Sequence, residues 1–289
     1  MKVRIAYGLG ADAASADAGR FGALVDGLEE IGFDSLWLSE RLTGASPDPL
    51  VGLAVAAGRT ERLKLGTSVL VLPGRNPVVL AKELASLDVL SSGRLLPAVG
   101  LGAPLPVEHH AFGVTRGERA ARFDESLAVM RRLWRGDDVD GVRLALRPVQ
   151  DPFDVWLGGR APSELRRVGR VGDGWLPSFS TPAEVADGWD VITQTAAAHD
   201  RRIDPEHLGA LVVYAEREIP EGARRLLARR KGDVDPAEIV PVGLDALRHH
   251  LEAFIAVGAS KFVVAPLDAV DDVDAHLRTL GDALLDLET

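Results

Sequence analysis

Apolar and polar positions follow two alternating patterns along this chain: short runs of consecutive apolar residues, and longer stretches with an apolar residue every three or four positions. Residues 63–72 form a nearly continuous apolar run, which is typical of a strand buried on both faces of a parallel sheet. Asn76 and Pro77 then begin a stretch of helical spacing that closes at Gly93, with the N-cap and first-turn proline that helices prefer. A second apolar run follows over 94–100, so this segment predicts a strand–helix–strand unit.

The same alternation extends along the whole chain and predicts eight strands. They cover 3–7, 35–38, 63–72, 94–100, 154–157, 174–176, 208–214 and 261–265. Helices are predicted over 17–31, 50–59, 77–92, 118–134, 162–171, 182–199, the first half of 221–242, 244–257 and 270–287. Residues 104–114 are predicted as a loop, and 136–150 as an irregular stretch with a short extended piece at 142–146. Repeated strand–helix units without a linker predict an α/β fold, a (β/α)8 TIM barrel formed by one domain over residues 1–289. A doubly wound open sheet is the alternative.

Composition narrows the class of protein. The chain has 289 residues, of which 46% are hydrophobic and 26% charged, as in a globular domain with a sizeable core. The formal net charge of −10 argues against nucleic acid as a partner, because a phosphate backbone needs a basic face. The first residues lack the apolar segment of a signal peptide, and no apolar run approaches the roughly 20 residues that span a bilayer. We therefore expect a cytoplasmic protein without a membrane partner. The chain has no cysteine, which excludes disulfides and thiolate chemistry.

Charged side chains follow two of the predicted strands, and parallel α/β folds bind ligands at the carboxyl ends of their strands. Glu40 and Arg41 follow the second strand and are candidate catalytic residues, or else an exposed ion pair. His109 and His110 follow the fourth strand and are candidates for proton transfer, or else a solvated pair. No set of His, Asp and Glu has the spacing of metal ligands, so the sequence predicts no metal site.

Glycines end the fourth strand at 100–102 and the fifth strand at 158–159. Glycine lets a flat ring or a phosphate approach the backbone closely, although tight turns are the alternative explanation. Arg160 follows the second pair, and a helix begins at or near Pro162. A helix N-terminus offers free N–H groups and partial positive charge, so this turn is a candidate anion site.

Longer segments carry a resemblance to a known family. They are GFDSLWLSE (32–40), LKLGTSVLVLPGRNPVVLAKELASLDVLSSGRL (63–95), AVGLG (98–102), AFGVTRGERAARFDESLAVMRRLW (111–134), WLGGRAPSELRRVGRVGDGWLP (156–177) and VGASKFVVAP (257–266). With these segments the chain resembles the bacterial luciferase-like monooxygenase superfamily, and within it the actinobacterial oxidoreductases that use the deazaflavin coenzyme F420. The resemblance implies a luciferase-like TIM barrel with the cofactor lying across the carboxyl ends of the strands. Members that use FMN share much of this pattern.

The resemblance also implies roles for individual residues. In the family, a non-proline cis peptide of the third strand lies behind the central ring of the cofactor, and the matching pair here is Ser68–Val69. One matched segment lies beside the cofactor's side chain, and another is a phosphate-binding turn. The cofactor-binding residues implied in this way are Ser68, Val69, Gly100, Leu101, Gly102, Ala103, Gly158, Gly159, Arg160 and Ser163.

Two positions depart from the family's pattern. Arg41 stands where members often have His, and Ala103 stands where the sugar-phosphate dehydrogenases of the family have Glu. A sugar phosphate is therefore not expected as the substrate, and the identity of any general acid is left open. The candidates for that role are His109, His110, Tyr7 and Tyr214.

The function that these observations predict is an F420-dependent oxidoreductase. It would transfer a hydride between C5 of the deazaflavin and an unidentified small organic substrate. An FMN-dependent luciferase-like monooxygenase is one alternative. A non-catalytic cofactor-binding protein is another, which Arg41 and Ala103 favour. Relatives are often dimers, so a homodimer is expected by analogy.

Overall fold

A computed structural model describes residues 1–10, 17–232 and 234–289, and its strands form a ring of eight. The third and fourth strands each consist of two segments. The strands are β1 (Arg4–Leu9), β2 (Ser35–Leu38), β3 (Lys64–Thr67 and Leu70–Val71), β4 (Leu95–Leu96 and Ala98–Gly100), β5 (Trp156–Leu157), β6 (Gly174–Trp175), β7 (Gly209–Tyr214) and β8 (Lys261–Pro266).

Every pairing between neighbouring strands is parallel, and together the pairings close a barrel. One sheet runs in the order β4, β3, β2, β1, β8, β7, and the other in the order β3, β4, β5, β6. The two segments of β3 and of β4 belong to different sheets and so connect them. Parallel bridges from Trp175 to Leu208 and from Ser178 to Leu211 join β6 to β7. The predicted (β/α)8 barrel is therefore confirmed, and the doubly wound alternative is wrong.

Helices surround the barrel and connect its strands. They are α1 (Ala18–Ile31), α2 (Pro49–Arg59), α3 (Pro77–Leu90), α4 (Pro106–Ala111), α5 (Arg119–Arg135), α6 (Pro162–Val171), α7 (Pro182–Ala197), α8 (Glu221–Lys231), α9 (Leu244–Ala256) and α10 (Val273–Leu284). The cap predicted at Asn76 is present, since its side chain accepts the N–H groups of Val78 and Val79 at 3.0 and 3.2 Å. Local capping chemistry therefore sets the start of α3, as the sequence predicts.

Two indoles fill the inside of the barrel. The inner cluster combines Trp37 of β2 and Trp156 of β5 with small or branched residues from the other strands. The ring centroids of the two tryptophans are 6.5 Å apart. Glycines on neighbouring strands leave room for them, because a Cβ on Gly66 would lie 2.1 Å from the Trp37 ring and a Cβ on Gly174 2.5 Å from the Trp156 ring. The barrel is thus a packed core below its rim.

An ion cluster lies at the amino-terminal side of the strands. The buried carboxylate of Asp34 accepts from the ammonium groups of Lys64 and Lys261 at 2.7 and 2.8 Å. Burial acts to raise the pKa of Asp34, but the two lysines outweigh it and lower the pKa to about 2. The cluster joins the starts of β3 and β8 to the residue before β2, which fixes the side of the barrel opposite the rim.

Three predictions about local structure need correction. The segment 104–114 is not a loop throughout, because it contains α4. The predicted strand 63–72 is interrupted at Ser68–Val69, whose peptide bond is cis as the resemblance implied. The extended piece expected at 142–146 is wrong, since this part forms only a bridge between Val139 and Val142.

Candidate functional site

Glu40 stands at the carboxyl end of β2, where its carboxylate is occupied by its own chain. The side chain is buried, accepts the N–H of Val71 at 2.5 Å, and forms an ion pair with Arg75. Burial raises the pKa of Glu40, although the positive charge of Arg75 opposes this rise. Each carboxylate oxygen has a partner, so Glu40 fixes the end of β3 against β2 while it lines the rim of the barrel.

Glu108 of α4 organises the loop that carries Arg41. Its carboxylate accepts the N–H groups of Leu42 and Thr43 at 3.1 and 3.0 Å and the hydroxyl of Thr43 at 2.7 Å. Burial acts to raise the pKa of Glu108, but these hydrogen bonds and the charge of Arg41 outweigh it, so the pKa is lowered. The sequence did not reveal this role, because 104–114 has no helical spacing.

A narrow cleft opens at the rim between β2, β3 and β4. It brings together six of the predicted site residues. The residues that line it are Glu40, Arg41, Val71, Leu101, Gly102, Ala103, Glu108, His109, Phe112, Val114 and Arg119. His110 is exposed and does not line the cleft. Of the predicted histidine pair, the structure therefore places only His109 at the site.

Arg119 is a site residue that the sequence reasoning missed. It is the first residue of α5, only 9% of its surface is exposed, and one terminal nitrogen donates to the carbonyls of Leu101 and Gly102, each at 3.2 Å. Its Nε is buried without a partner among the described residues, as is Nε2 of His109. Burial and the charge of Arg116 lower the pKa of Arg119. A cation in the first turn of a helix is unfavourable because it opposes the helix dipole. An arginine at this position was the signal in the sequence that could have pointed to Arg119 as a site residue.

Glycines at the rim make room for the side chain of Val69, which belongs to the Ser68–Val69 pair between the two segments of β3. A Cβ on Gly100 would lie 2.6 Å from Cγ2 of Val69, and a Cβ on Gly158 would lie 2.8 Å from Cγ1 of the same residue. Gly102 has a φ of +79°, and a Cβ there would lie 2.9 Å from Val71. Close packing against Val69 and Val71 therefore explains these glycines without any ligand.

A side chain of α6 accepts the N–H groups of the two residues that come just before the helix. The carboxylate of Glu164 accepts the N–H of Arg160 at 3.0 Å and that of Ala161 at 2.9 Å. Gly159 has a φ of +106°, and a Cβ there would lie 2.9 Å or less from Glu164. Ser163 is exposed on the first turn. The backbone N–H groups of Arg160 and Ala161 are thus already paired within the turn.

Tyr7 and Tyr214 lie away from the rim cleft. Tyr7 follows the inward-facing Ala6 in β1, so it points outward, and its ring meets the ring of His276 edge-on at 6.0 Å. The Tyr214 hydroxyl is 3.3 Å from Nε2 of His276 on α10. Burial raises the pKa of both tyrosines. The two candidates for a general acid therefore lie between the barrel and α10, where they do not face the cleft.

In the ranges 1–10, 17–232 and 234–289, no three His, Asp or Glu side chains converge into a group that could hold a metal ion. Nor, in the same part of the chain, is any helix both long enough and apolar enough to cross a bilayer.

A family model described as luciferase-like monooxygenase matches residues 3–257 of this chain. Among curated relatives, an F420-dependent glucose-6-phosphate dehydrogenase from Beutenbergia cavernae is 32% identical over 284 residues, which cover 87% of this chain and 80% of the relative. An enzyme of the same name from Amycolatopsis mediterranei is 31% identical and covers 61% of each chain. A 4-hydroxyprotoasukamycin monooxygenase from Streptomyces nodosus subsp. asukaensis is 32% identical and covers 63% of this chain and 54% of its own. The matches to the last two span less than two thirds of the relatives' length.

Solved structures share the fold over the whole chain. An F420-dependent secondary alcohol dehydrogenase in complex with an F420–acetone adduct has a TM-score of 0.82 at 18% identity and covers 100% of both chains. The monooxygenase RslO1 from Streptomyces bottropensis has a TM-score of 0.77 at 24% identity and covers 98% of this chain and 99% of its own. At these identities the likeness concerns the barrel alone.

Proposed function

Because this chain belongs to the luciferase-like monooxygenase family, we propose that it is a coenzyme F420-dependent oxidoreductase acting on a small organic substrate. The F420-dependent relative from Beutenbergia cavernae supports this choice, since it aligns with 87% of the chain. The segments of sequence that resemble the family predict the same function. When bound, the deazaflavin supplies a C5 atom that accepts or donates a hydride.

The buried guanidinium of Arg119 is the observation that carries the proposed cofactor site. A buried N–H without an acceptor costs about 1–3 kcal/mol, and an anionic oxygen entering the cleft supplies the missing acceptor. Arg119 lies at the carboxyl ends of the strands, where α/β barrels bind their ligands. We expect Arg119, with Arg160 at the start of α6, to hold the anionic part of the cofactor.

We expect two further rim residues to orient the cofactor and to transfer a proton. Val69, which packs between Gly100 and Gly158, gives the proposed ring a fixed apolar surface at the mouth of the barrel. His109 presents a buried Nε2 without a partner among the described residues to the same cleft as Arg119. We therefore expect His109 to hold or release a proton at Nε2, a role in which Glu40 is not needed.

A fluorescence titration with purified F420 tests the proposed site. We expect the wild type to bind F420, and Arg119→Ala to bind it about 10–100-fold more weakly, as for the loss of a charge-assisted hydrogen bond. Arg160→Ala is expected to weaken binding by about 1–3 kcal/mol for the same reason. Arg122→Ala is the matched control, because this exposed arginine of the same helix has only a 3.6 Å ion pair with Glu118. Tight binding of FMN together with no binding of F420 would contradict the proposal.

Measurements of turnover distinguish two other candidate functions from the proposed one. A monooxygenase is supported by the relative from Streptomyces nodosus, and an FMN-dependent one would consume oxygen when given reduced FMN and substrate. A non-catalytic binding protein would bind F420 and leave its absorbance unchanged with every substrate offered. Ala103 stands where the family's sugar-phosphate dehydrogenases have Glu, so we expect glucose 6-phosphate not to reduce bound F420.

A homodimer is the assembly that we propose. Val51 and Val55 are exposed one turn apart on α2, and Val79 is exposed on the adjacent α3. Their exposure leaves an apolar face that a second copy would cover. Light scattering after size exclusion measures the mass, and Val55→Glu is expected to convert the dimer to a monomer. A monomeric wild type would refute this part of the proposal.

A further inference from the structure

A second cavity lies between the barrel, α9 and α10, at the end where β7 and β8 finish. Its volume is about 480 Å³, which is within the range of pockets that hold small organic molecules. Its walls come from the start of α9, from α10 and from the residues at and after the ends of β7 and β8. None of the described residues that line this cavity also lines the rim cleft, so the two are separate.

Three polar side chains that line the cavity form a chain of hydrogen bonds. Nδ1 of His276 is 3.2 Å from Oε1 of Glu216, and Nε2 of the same ring is 3.3 Å from the Tyr214 hydroxyl. An ionised carboxylate only accepts hydrogen bonds, so Nδ1 carries a proton and donates to Glu216. Burial lowers the pKa of His276, although Glu216 opposes this, and the ring is neutral at pH 7. Its Nε2 therefore accepts a hydrogen bond from the Tyr214 O–H.

This arrangement leaves the oxygen of Tyr214 without a hydrogen-bond donor. Only 1% of the residue's surface is exposed, and its hydroxyl oxygen accepts no hydrogen bond within the part of the chain that the structure describes. A phenolic oxygen can accept as well as donate, and a buried acceptor without a donor is unfavourable. A ligand that brings an N–H group into the cavity supplies the missing donor.

The charges around the cavity favour a positively charged ligand. Glu216, Asp271 and Asp272 line it, and no lysine or arginine is among its described lining residues. Arg20 reaches the edge of the cavity, where its guanidinium donates to the carbonyl of Val270, but it is not part of the lining. The carboxylates therefore outnumber the nearby cation three to one, and a ligand with a positive charge is attracted.

The shape and the lining favour an organic cation over a metal ion. In residues 1–10, 17–232 and 234–289, no three His, Asp or Glu side chains converge into a group that could hold a metal. The carboxylates are instead distributed around the cavity, and apolar side chains complete its walls, among them Leu244, Val270 and Leu280. A molecule with one ammonium group and an apolar body matches both kinds of wall.

We propose that this cavity is a second binding site, which takes a small protonated amine with an apolar body. The ammonium group donates to the oxygen of Tyr214 in the field of Glu216, and the apolar body packs against Leu244 and Leu280. The site acts independently of the proposed cofactor, since it shares no described lining residue with the rim cleft.

Ligand-observed NMR titrations at pH 7 with three probes of similar shape test the site. The probes are 2-phenylethylamine, which is a cation, neutral 2-phenylethanol and anionic 3-phenylpropionate. Tyr214→Phe removes the hydroxyl, Glu216→Gln removes a charge, and Ala275→Trp fills the cavity from an exposed position of α10. Glu218→Gln is the matched control, because this exposed glutamate follows β7 as Glu216 does but does not line the cavity. Thermal unfolding verifies that each variant keeps its fold.

We expect wild type to bind the amine at least about 10-fold more tightly than the alcohol or the carboxylate, as for one hydrogen bond to a charged group. Tyr214→Phe should weaken binding of the amine about 10-fold or more for the same reason. Glu216→Gln should weaken it about 2–5-fold, as for the loss of a partly exposed charge pair. Ala275→Trp should abolish binding, and Glu218→Gln should leave it unchanged.

Three results would overturn the inference. They are an alcohol that binds as tightly as the amine, an amine affinity that is unaltered in Tyr214→Phe, and binding that persists in Ala275→Trp. Arg119→Ala locates the amine relative to the rim cleft. Its affinity for the amine should equal that of wild type, and a changed affinity would show that the amine binds in the cleft and would refute the second site. Because no cofactor is added, the outcome does not depend on whether the protein uses F420.

Discussion

Replacing Gly100 with alanine tests why the carboxyl end of β4 carries no side chain. A Cβ at this position would lie 2.6 Å from Cγ2 of Val69, about 1 Å inside an ordinary carbon–carbon contact. Overpacking of this kind costs about 1–3 kcal/mol, while alanine regains about 0.5–1 kcal/mol of backbone entropy relative to glycine. We therefore expect Gly100→Ala to lower the free energy of unfolding by about 1–2 kcal/mol.

The double variant with Val69→Ala identifies the cause of that loss. Val69→Ala alone removes two methyl groups from a half-buried site and costs at most about 1.5 kcal/mol. With both Cγ atoms gone, the Cβ added at Gly100 has no close neighbour. We expect the double variant to be no less stable than Val69→Ala, a coupling of about 1–2 kcal/mol between the two sites. Urea unfolding of all four proteins, followed by tryptophan fluorescence with an unchanged m-value, measures it.

Losses that add in the double variant would refute the packing explanation for Gly100. The F420 titration of the same four proteins supplies the second result. If a ring also approaches the backbone at Gly100, the double variant binds F420 more weakly than Val69→Ala although its stability is restored. Equal affinities would show that Val69 is the whole reason for the glycine.

Three further predictions concern the packing and the charges of the fold. The pKa of Asp34 is about 2 in the fold, against 3.8 in the unfolded chain. This difference contributes about 2 kcal/mol to the free energy of unfolding above pH 5, and the contribution is lost as the pH falls from about 4 to 2. The difference in stability between wild type and Asp34→Asn, measured by urea unfolding, should therefore shrink at pH 3. Gly66→Ala should cost about 3 kcal/mol or more in thermal unfolding because its Cβ meets an indole at 2.1 Å, whereas Gly58→Ala, in the open on a helix, should gain about 0.5–1 kcal/mol. Glu108→Ala should speed amide exchange at Thr43 about 10-fold or more, and unchanged exchange would contradict the role of that carboxylate.

Local sequence signals predicted most of the barrel. The apolar runs mark strands that are buried on both faces, and the Asn76–Pro77 pair marks the start of α3, since both depend on neighbouring residues only. The short helix α4 was missed, because Leu105 provides no side-chain cap and six residues are too few for a helical period. The break in β3 at Ser68–Val69 could not be read from an apolar run and came from the family resemblance alone.

The candidate site was less predictable, because its contacts join residues that are distant in the sequence. Glu40 lines the cleft, as a candidate site residue should, but its pairing with Arg75 joins residues 35 positions apart in the sequence. Glu164, by contrast, could have been found, because a glutamate at the third position of a helix is a common partner for the backbone N–H groups before it. Arg119 is buried because α5 packs against the rim of the barrel. The spacing of apolar residues along α5 does not predict this contact.

The paired indoles of Trp37 and Trp156 give the protein an optical probe of its own. Their ring centroids lie 6.5 Å apart in the inner cluster, against which Val69 of the proposed cofactor surface packs. Their ultraviolet emission overlaps the absorption of flavins and deazaflavins, so a ring bound at the mouth of the barrel quenches it by energy transfer. Occupancy of the site can thus be followed without a label, even for a ligand that undergoes no chemistry.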